Sequence, residues 1–209
     1  MSGLHVRAHR YLRRQLCGLA FVAERLDVVR MVIDSQCGRI ILAVHRDALD
    51  DETLTIHVPN DDDDSLHMLG EYRELDPERD ASCDRYLMYF GAPVIETTAA
   101  KRPSPVPPVW LEFVPHTIKF ERGMVEAQEV VMPNPLWSEE GRLCKHYNAS
   151  AHVLVAACAK AGVEVAGPKL VGIDPWGADV RASFGHVRLE FEQAIATAQE
   201  AMAALEKLV

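Results

Sequence analysis

The sequence predicts an α+β protein in two parts: an antiparallel barrel or sheet over residues 1–134, then a small helix–sheet–helix module over residues 135–209. Three observations carry this. Apolar runs bounded by turn-forming residues recur early, at 28–33, 39–44 and 53–58. Met132-Pro-Asn-Pro135 is a linker by composition. Beyond it the apolar pattern runs helical, then alternating, then helical again.

Residues 5–16 read as a basic helix with Leu12 and Leu16 on its apolar side. Its arginines (7, 10, 13 and 14), in a first 23 residues without acids, also suit an organelle transit peptide; the helix is the plainer reading. Gly18 interrupts it, leaving 19–22 as a last turn or a first strand. Asp34-Ser-Gln-Cys-Gly38 is a hairpin turn between two strands, Asp50-Asp51-Glu52 turns the chain again, and 53–58 alternates as a further strand ended by Pro59-Asn60.

Asp61–Asp64 are expected to be solvated beside the N-terminus of an amphipathic segment holding Leu66, Leu69, Tyr72 and Arg73, where a helix dipole favours negative charge. The alternating ligands and central glycine of a calcium loop are missing, so no metal site is predicted. Asp80 caps a helix that passes Tyr86 and Phe90 and ends at Gly91, with Arg79, Asp84 and Arg85 in surface ion pairs. Residues 101–108 form a Pro-rich extended loop. Residues 110–120 make a long bent strand or hairpin, with Pro115 at an edge or bulge.

In the second part, Ser138 caps a helix whose Glu139 and Glu140 complement the dipole. Leu143, Tyr147, Leu154, Cys158 and Ala161 form its apolar stripe, and Gly162 stops it. Residues 169–173 are a buried strand and Asp174-Pro-Trp-Gly177 a turn. Two alternating strands follow, around Val180 and Leu189, joined near Gly185-His186. Thr197-Ala-Gln-Glu200 is a capping box for a last helix with Ala198, Met202, Leu205 and Leu208 on its apolar face.

The 209 residues, 48% hydrophobic and 25% charged, can build a substantial core. A net charge of −9 argues against a nucleic acid or an anionic membrane as partner. Five scattered cysteines without a C-x-x-C pair fit reduced thiols and a cytoplasmic location. No apolar run is long enough for a membrane helix.

The stretches His146-Tyr-Asn-Ala149, Leu170-Val-Gly-Ile-Asp174 and Trp176-Gly-Ala-Asp-Val-Arg181, with the closing Val187-Arg-Leu-Glu-Phe191 and the helix around Ala201–Leu205, resemble the C-terminal α/β domain of HugZ-type haem-utilisation proteins. In that family the domain follows a split β-barrel of the pyridoxamine-phosphate-oxidase kind. The likeness covers the last third of the chain well and the first two thirds loosely. It implies an FMN-binding-type split barrel, pairing as a homodimer, and a tetrapyrrole or a flavin as ligand.

Such barrels grip the FMN phosphate with Arg, Lys and Ser/Thr side chains near strand ends and a following helix, because a dianion needs guanidinium or aimed N–H donors. By that resemblance the cofactor-binding candidates in the barrel are Arg39, His45 and Arg46. The helix expected to follow opens on Asp61–Asp64, however, and like charge beside a phosphate is costly. The family's Gly-Phe-Gly stretch is also replaced, around Arg122-Gly-Met-Val125. Tightly bound FMN is therefore not expected, and Arg39 and Arg46 read more simply as snorkelling strand residues.

For haem, the motif candidates are His146 and His152, with Asn148 of the same motif as a further cofactor-binding candidate. His152 lies about 120° from His146 around a regular helix, so the two cannot share one iron. The family's Asp-His pair is replaced by Ser150-Ala151, and a backbone-bonded His146 is the simpler role. No G-x-S-x-G, H-E-x-x-H or nucleotide-binding G-x-G-x-x-G is present, and Cys144 beside His146 reads as packing. The leading expectation is a binding protein or degenerate enzyme related to tetrapyrrole handling. The rivals are an FMN-dependent oxidoreductase and a non-catalytic regulatory partner-binding protein.

Overall fold

The computed structural model describes residues 3–22, 25–46, 49, 53–94, 96–97 and 107–209. The chain divides into two compact units, one running to Asp34 and from Gly38 to Met132, the other comprising Ser35–Cys37 and Pro133–Val209. The turn expected at 50–52 and most of the Pro-rich loop lie outside the described residues.

The first unit opens with helix α1 (Leu4–Arg14), then strands β1 (Cys17–Val22), β2 (Arg25–Ile33), β3 (Ile40–Val44), β4 (Thr53–Val58) and β5 (Leu66–Leu75). Helix α2 (Ala81–Phe90), the short strand β6 (Glu96–Thr97), the long strand β7 (Val109–Phe120), β8 (Gly123–Glu126) and the one-turn α3 (Ala127–Val130) follow. Neighbours run β1-β4-β5-β7-β3-β2, and pairing of β2 with β1 closes the ring. The result is a six-strand antiparallel barrel, with β6 added to β2 and β8 to β7. Closure removes the exposed edges that an open sheet would present.

Alternation builds the barrel interior. In β4, Leu54, Ile56 and Val58 point into the core while Thr53, Thr55 and His57 face outward. The register of β5 against β7 shifts at Leu69/Gly70, opposite Pro115. The shift reverses the inward set along β7, from Leu111 and Phe113 to Ile118 and Phe120. The predicted bulge at Pro115 is thus present, and Gly70 permits it: a Cβ there would strike the Val114 carbonyl oxygen.

One expectation is overturned here. The segment after Asp61–Asp64 is the ten-residue strand β5, not a helix, so those aspartates form the β4–β5 turn and not the start of a helix. The apolar residues at 66, 69 and 72 suit a helical period, but pairing with β4 and β7 on both sides satisfies the backbone as strand.

The second unit packs helices α4 (Trp137–Asn148), α5 (Ala151–Lys160) and α6 (Ala198–Lys207) with an antiparallel sheet of β9 (Lys169–Asp174), β10 (Gly177–Ala182) and β11 (Gly185–Glu190). The single helix expected over 138–161 is two, broken at Ala149-Ser150. Both keep the predicted stripe: Leu143, Tyr147, Leu154 and Cys158 are buried in one core with Ile173, Val180 and Leu205. Ser138 is inside α4 rather than at its cap; the side-chain oxygen of Asn134 accepts from Leu136 N at 3.0 Å instead. Glu140 is not a surface dipole charge but is buried, its Oε1 accepting from Ile173 N at 3.0 Å. The capping box on α6 forms as expected between Thr197 and Glu200.

Candidate functional site

Arg39 lies at the entry to β3, in front of the start of α2. Asp80 caps α2, its Oδ1 accepting from Ser82 N at 3.0 Å. The Arg39 guanidinium donates to Asp80 Oδ1 at 2.8 Å, to Ser82 Oγ at 3.1 Å and to Glu112 Oε2 at 3.5 Å. Glu112 also holds Arg73 in a very short ion pair. Burial works against the Asp80 charge, but the Ser82 hydrogen bonds and the Arg39 cation outweigh it and keep the carboxyl below its usual range. Arg39 is therefore the centre of a carboxylate cage.

The other barrel candidates stand apart from that cage. His45, just past β3, is buried, and its Nε2 has no hydrogen-bond partner among the described residues. Arg46 is exposed and forks onto Glu74 at 3.2–3.3 Å. Arg46 and Glu74 line an open groove of about 510 Å³ with Pro77, Pro108 and Trp110.

In the second unit, His146 is exposed on α4, its ring edge-on to Tyr147 at 5.1 Å. Asn148 is engaged with backbone: its Nδ2 donates to Leu170 O at 2.9 Å and its Oδ1 accepts from Leu170 N at 2.7 Å. Asn134 donates to Ile173 O at 2.7 Å, and Glu140 takes the Ile173 amide. These three side chains seal the outer edge of β9, which no further strand covers among the described residues. A two-bond amide clamp on a strand edge is structural chemistry, and it occupies both polar atoms of the Asn148 side chain.

The stretch 170–191 that carries the family resemblance surrounds a buried charge cluster. Arg188 donates to Asp174 and Asp179 with all three side chains under a tenth exposed. Burial opposes the guanidinium charge, but the two carboxylates outweigh it and hold the pKa above its usual value. His186 approaches Asp179 at 3.7 Å.

A further constellation sits on the outer face of the first unit. His57 of β4 and His67 of β5 are directly opposite in register, their rings stacked at 3.9 Å and 8°. His57 Nδ1 lies 2.6 Å from Asp61 Oδ1 without the alignment of a hydrogen bond. Burial, then the neighbouring His67, lowers the His57 pKa against the pull of Asp61. Sequence reading missed this group, because His67 falls in the segment read as a helix. The outward phase of His57 in an alternating run was the signal available.

Fold and site together define an α+β protein with a closed six-strand antiparallel barrel and a separate helix–sheet–helix unit. No protein-family model matches the chain, and no curated protein matches it. The solved structure of the protein Atu2129 from Agrobacterium tumefaciens str. C58, of unknown function, is similar in fold: TM-score 0.71 at 14% identity, covering 100% of this chain and 97% of that one. The likeness extends over both units and agrees with a split-barrel arrangement. None of the described helices is long and apolar enough to cross a membrane.

Proposed function

We propose that the chain is a barrel-based binding protein related to haem or tetrapyrrole handling, one that does not hold FMN tightly. The observation that carries the negative half is the cage around Arg39. Two carboxylates and a hydroxyl already engage both of its terminal nitrogens, so a phosphate dianion would have to displace Asp80 and Glu112 or sit beside their charge. The tetrapyrrole half rests on the resemblance of residues 137–209 to the haem-utilisation domain. The Arg46 groove, with proline surface and the Arg46–Glu74 pair at its rim, is the cleft available to it, and a ring carboxylate would have to exchange with Glu74 on the guanidinium. On the same resemblance the working form is a homodimer, and the scattered cysteines suit the cytoplasm.

An ultraviolet–visible spectrum of freshly isolated protein, followed by separate haemin and FMN titrations, tests this. Expected are no flavin band, a haemin Soret shift that saturates at one equivalent per chain, and weak FMN binding. Replacing the cage acids (Asp80→Asn with Glu112→Gln) should tighten FMN by about tenfold, or ~1.4 kcal/mol. Co-purified flavin would favour an FMN-dependent oxidoreductase, and failure to bind either ligand would leave a protein-binding role.

A further inference from the structure

The outward-facing histidines of the β4–β5 hairpin meet the turn that joins their strands. One ring nitrogen each of His57 and His67 and a carboxylate oxygen of Asp61 all lie within 4.8 Å of one another. We propose that His57, Asp61 and His67 form a binding site for a divalent first-row transition ion, for which Zn2+ is the natural probe.

The donor set is the first argument. Two imidazoles and a carboxylate suit Zn2+, Ni2+, Cu2+ or Fe2+ and are poorly matched to Ca2+ or Mg2+, which prefer all-oxygen shells. Three protein ligands leave the remaining positions to water, as in open metal sites.

The state of His57 is the second argument. Its Nδ1 is buried and faces Asp61 Oδ1 at 2.6 Å, off the line of a well-formed hydrogen bond. A buried ring nitrogen beside a carboxylate, with neither aligned to the other, lacks the hydrogen bond its surroundings make available. An ion placed between them and His67 would engage both. The other face of the His57 ring packs on Phe21 at 4.3 Å, which fixes its position.

The framework is the third. His57 and His67 are cross-strand partners in a closed barrel, so their backbones are held at fixed separation. Bonds of about 2.0–2.1 Å in a tetrahedron require donor atoms about 3.4 Å apart. The His57–Asp61 pair must therefore open from 2.6 Å while His67 adjusts, by side-chain rotation alone. The stacked rings splay, and the contact of His67 Nε2 with the Asp62 carbonyl, 3.1 Å long, is exchanged for the metal if that nitrogen ligates. Charge favours a cation. Asp62, Asp63 and Asp64 follow the ligand Asp61 in the same turn and add negative charge to this end of the hairpin, against Lys119 opposite His67 on β7.

Cobalt titration of the untagged, chelator-treated full chain tests the proposal, read by visible d–d absorption and by displacement with Zn2+. One equivalent should bind. His57→Gln and His67→Gln should each weaken binding by more than the roughly 10–100-fold typical of outer-shell changes. His116→Gln on β7 should leave it unchanged. Circular dichroism checks that each variant is folded. Imidazole resonances of the unaltered protein provide a readout that needs no substitution: Zn2+ should shift those of His57 and His67 and leave His146 and His152 in place. Absence of cobalt absorption, full affinity in the double glutamine variant, or shifts confined to other histidines would each overturn the assignment. So would binding abolished by neutralising Asp62, Asp63 and Asp64 but indifferent to both histidines.

Discussion

Arg188 and Asp174 are joined inside the second unit by a 2.7 Å hydrogen bond from Nη2 to Oδ1, with side chains only 6% and 3% exposed. The same guanidinium reaches Asp179 Oδ1 at 2.9 Å, and Asp174 also accepts from Trp176 N at 2.8 Å. Asp174 and Trp176 in the stretch resembling the haem-utilisation domain are thus accounted for by a turn and an ion cluster that lock three strands together. Removing the cation would strand two buried carboxylates. Arg188→Ala should cost about 3–5 kcal/mol, measured by urea unfolding, with Arg188→Lys recovering only part because a lone ammonium cannot fork onto both acids.

Asp80 connects stability to acid. Its folded-state carboxyl is held below the usual range by Ser82 and Arg39. The stabilisation is therefore complete above about pH 4, the unfolded value, and is lost as pH falls through the folded value. Asp80→Asn should lower stability at pH 7 and flatten the acid limb of a stability–pH curve. Asp80→Ala adds loss of the α2 cap, worth about 1 kcal/mol.

Asn148 is predicted to behave as a strand-edge clamp and not as a ligand contact. Asn148→Ala leaves the Leu170 amide and carbonyl without their side-chain partners and should cost about 1–3 kcal/mol in chemical denaturation. A haemin titration of the same variant should be unchanged.

Gly70 tolerates no side chain. Its Cβ would lie 2.7 Å from Pro115 Cα as well as striking the Val114 carbonyl, and both obstacles are backbone in the β5–β7 ladder. Gly70→Ala should destabilise the first unit by about 2 kcal/mol or more, seen as a lower unfolding midpoint.

The cysteines should separate by reactivity. Cys17 and Cys37 are exposed, whereas Cys83 and Cys158 are buried, and burial pushes the Cys83 thiol up to about 11. With a disulfide-exchange reagent at pH 8, Cys17 and Cys37 should react in the native protein. Cys83 and Cys158 should react only after unfolding, since the thiolate is the attacking form.

Much of the architecture was legible because it rests on local chemistry. Asp80, Gly91, Gly162 and the Thr197–Glu200 box mark helix ends through single side chains or a positive φ, and each acts where expected. The β2–β3 hairpin was readable from two apolar runs flanking a turn-forming stretch. The strand at 66–75 was not, because its apolar spacing fits both periods and the choice was made by partners on both sides. The break at Ala149-Ser150 was equally hidden, since neither residue is a strong helix breaker.

Sites followed the same division. Arg39, Arg46, His146 and Asn148 were found as residue types that suit a cofactor, but what each touches depends on residues far off in sequence, as Asp80 and Glu112 do for Arg39. By itself the sequence determined the two-part α+β plan, most helix ends and the Pro115 bulge, because caps, turns and alternation act within a few residues. Tertiary structure alone decided that Arg39 is caged, that Glu140 and Asn148 seal a strand edge, and that His57 faces His67. Those outcomes depend on strand register and on which elements become neighbours, and no short window of sequence encodes either.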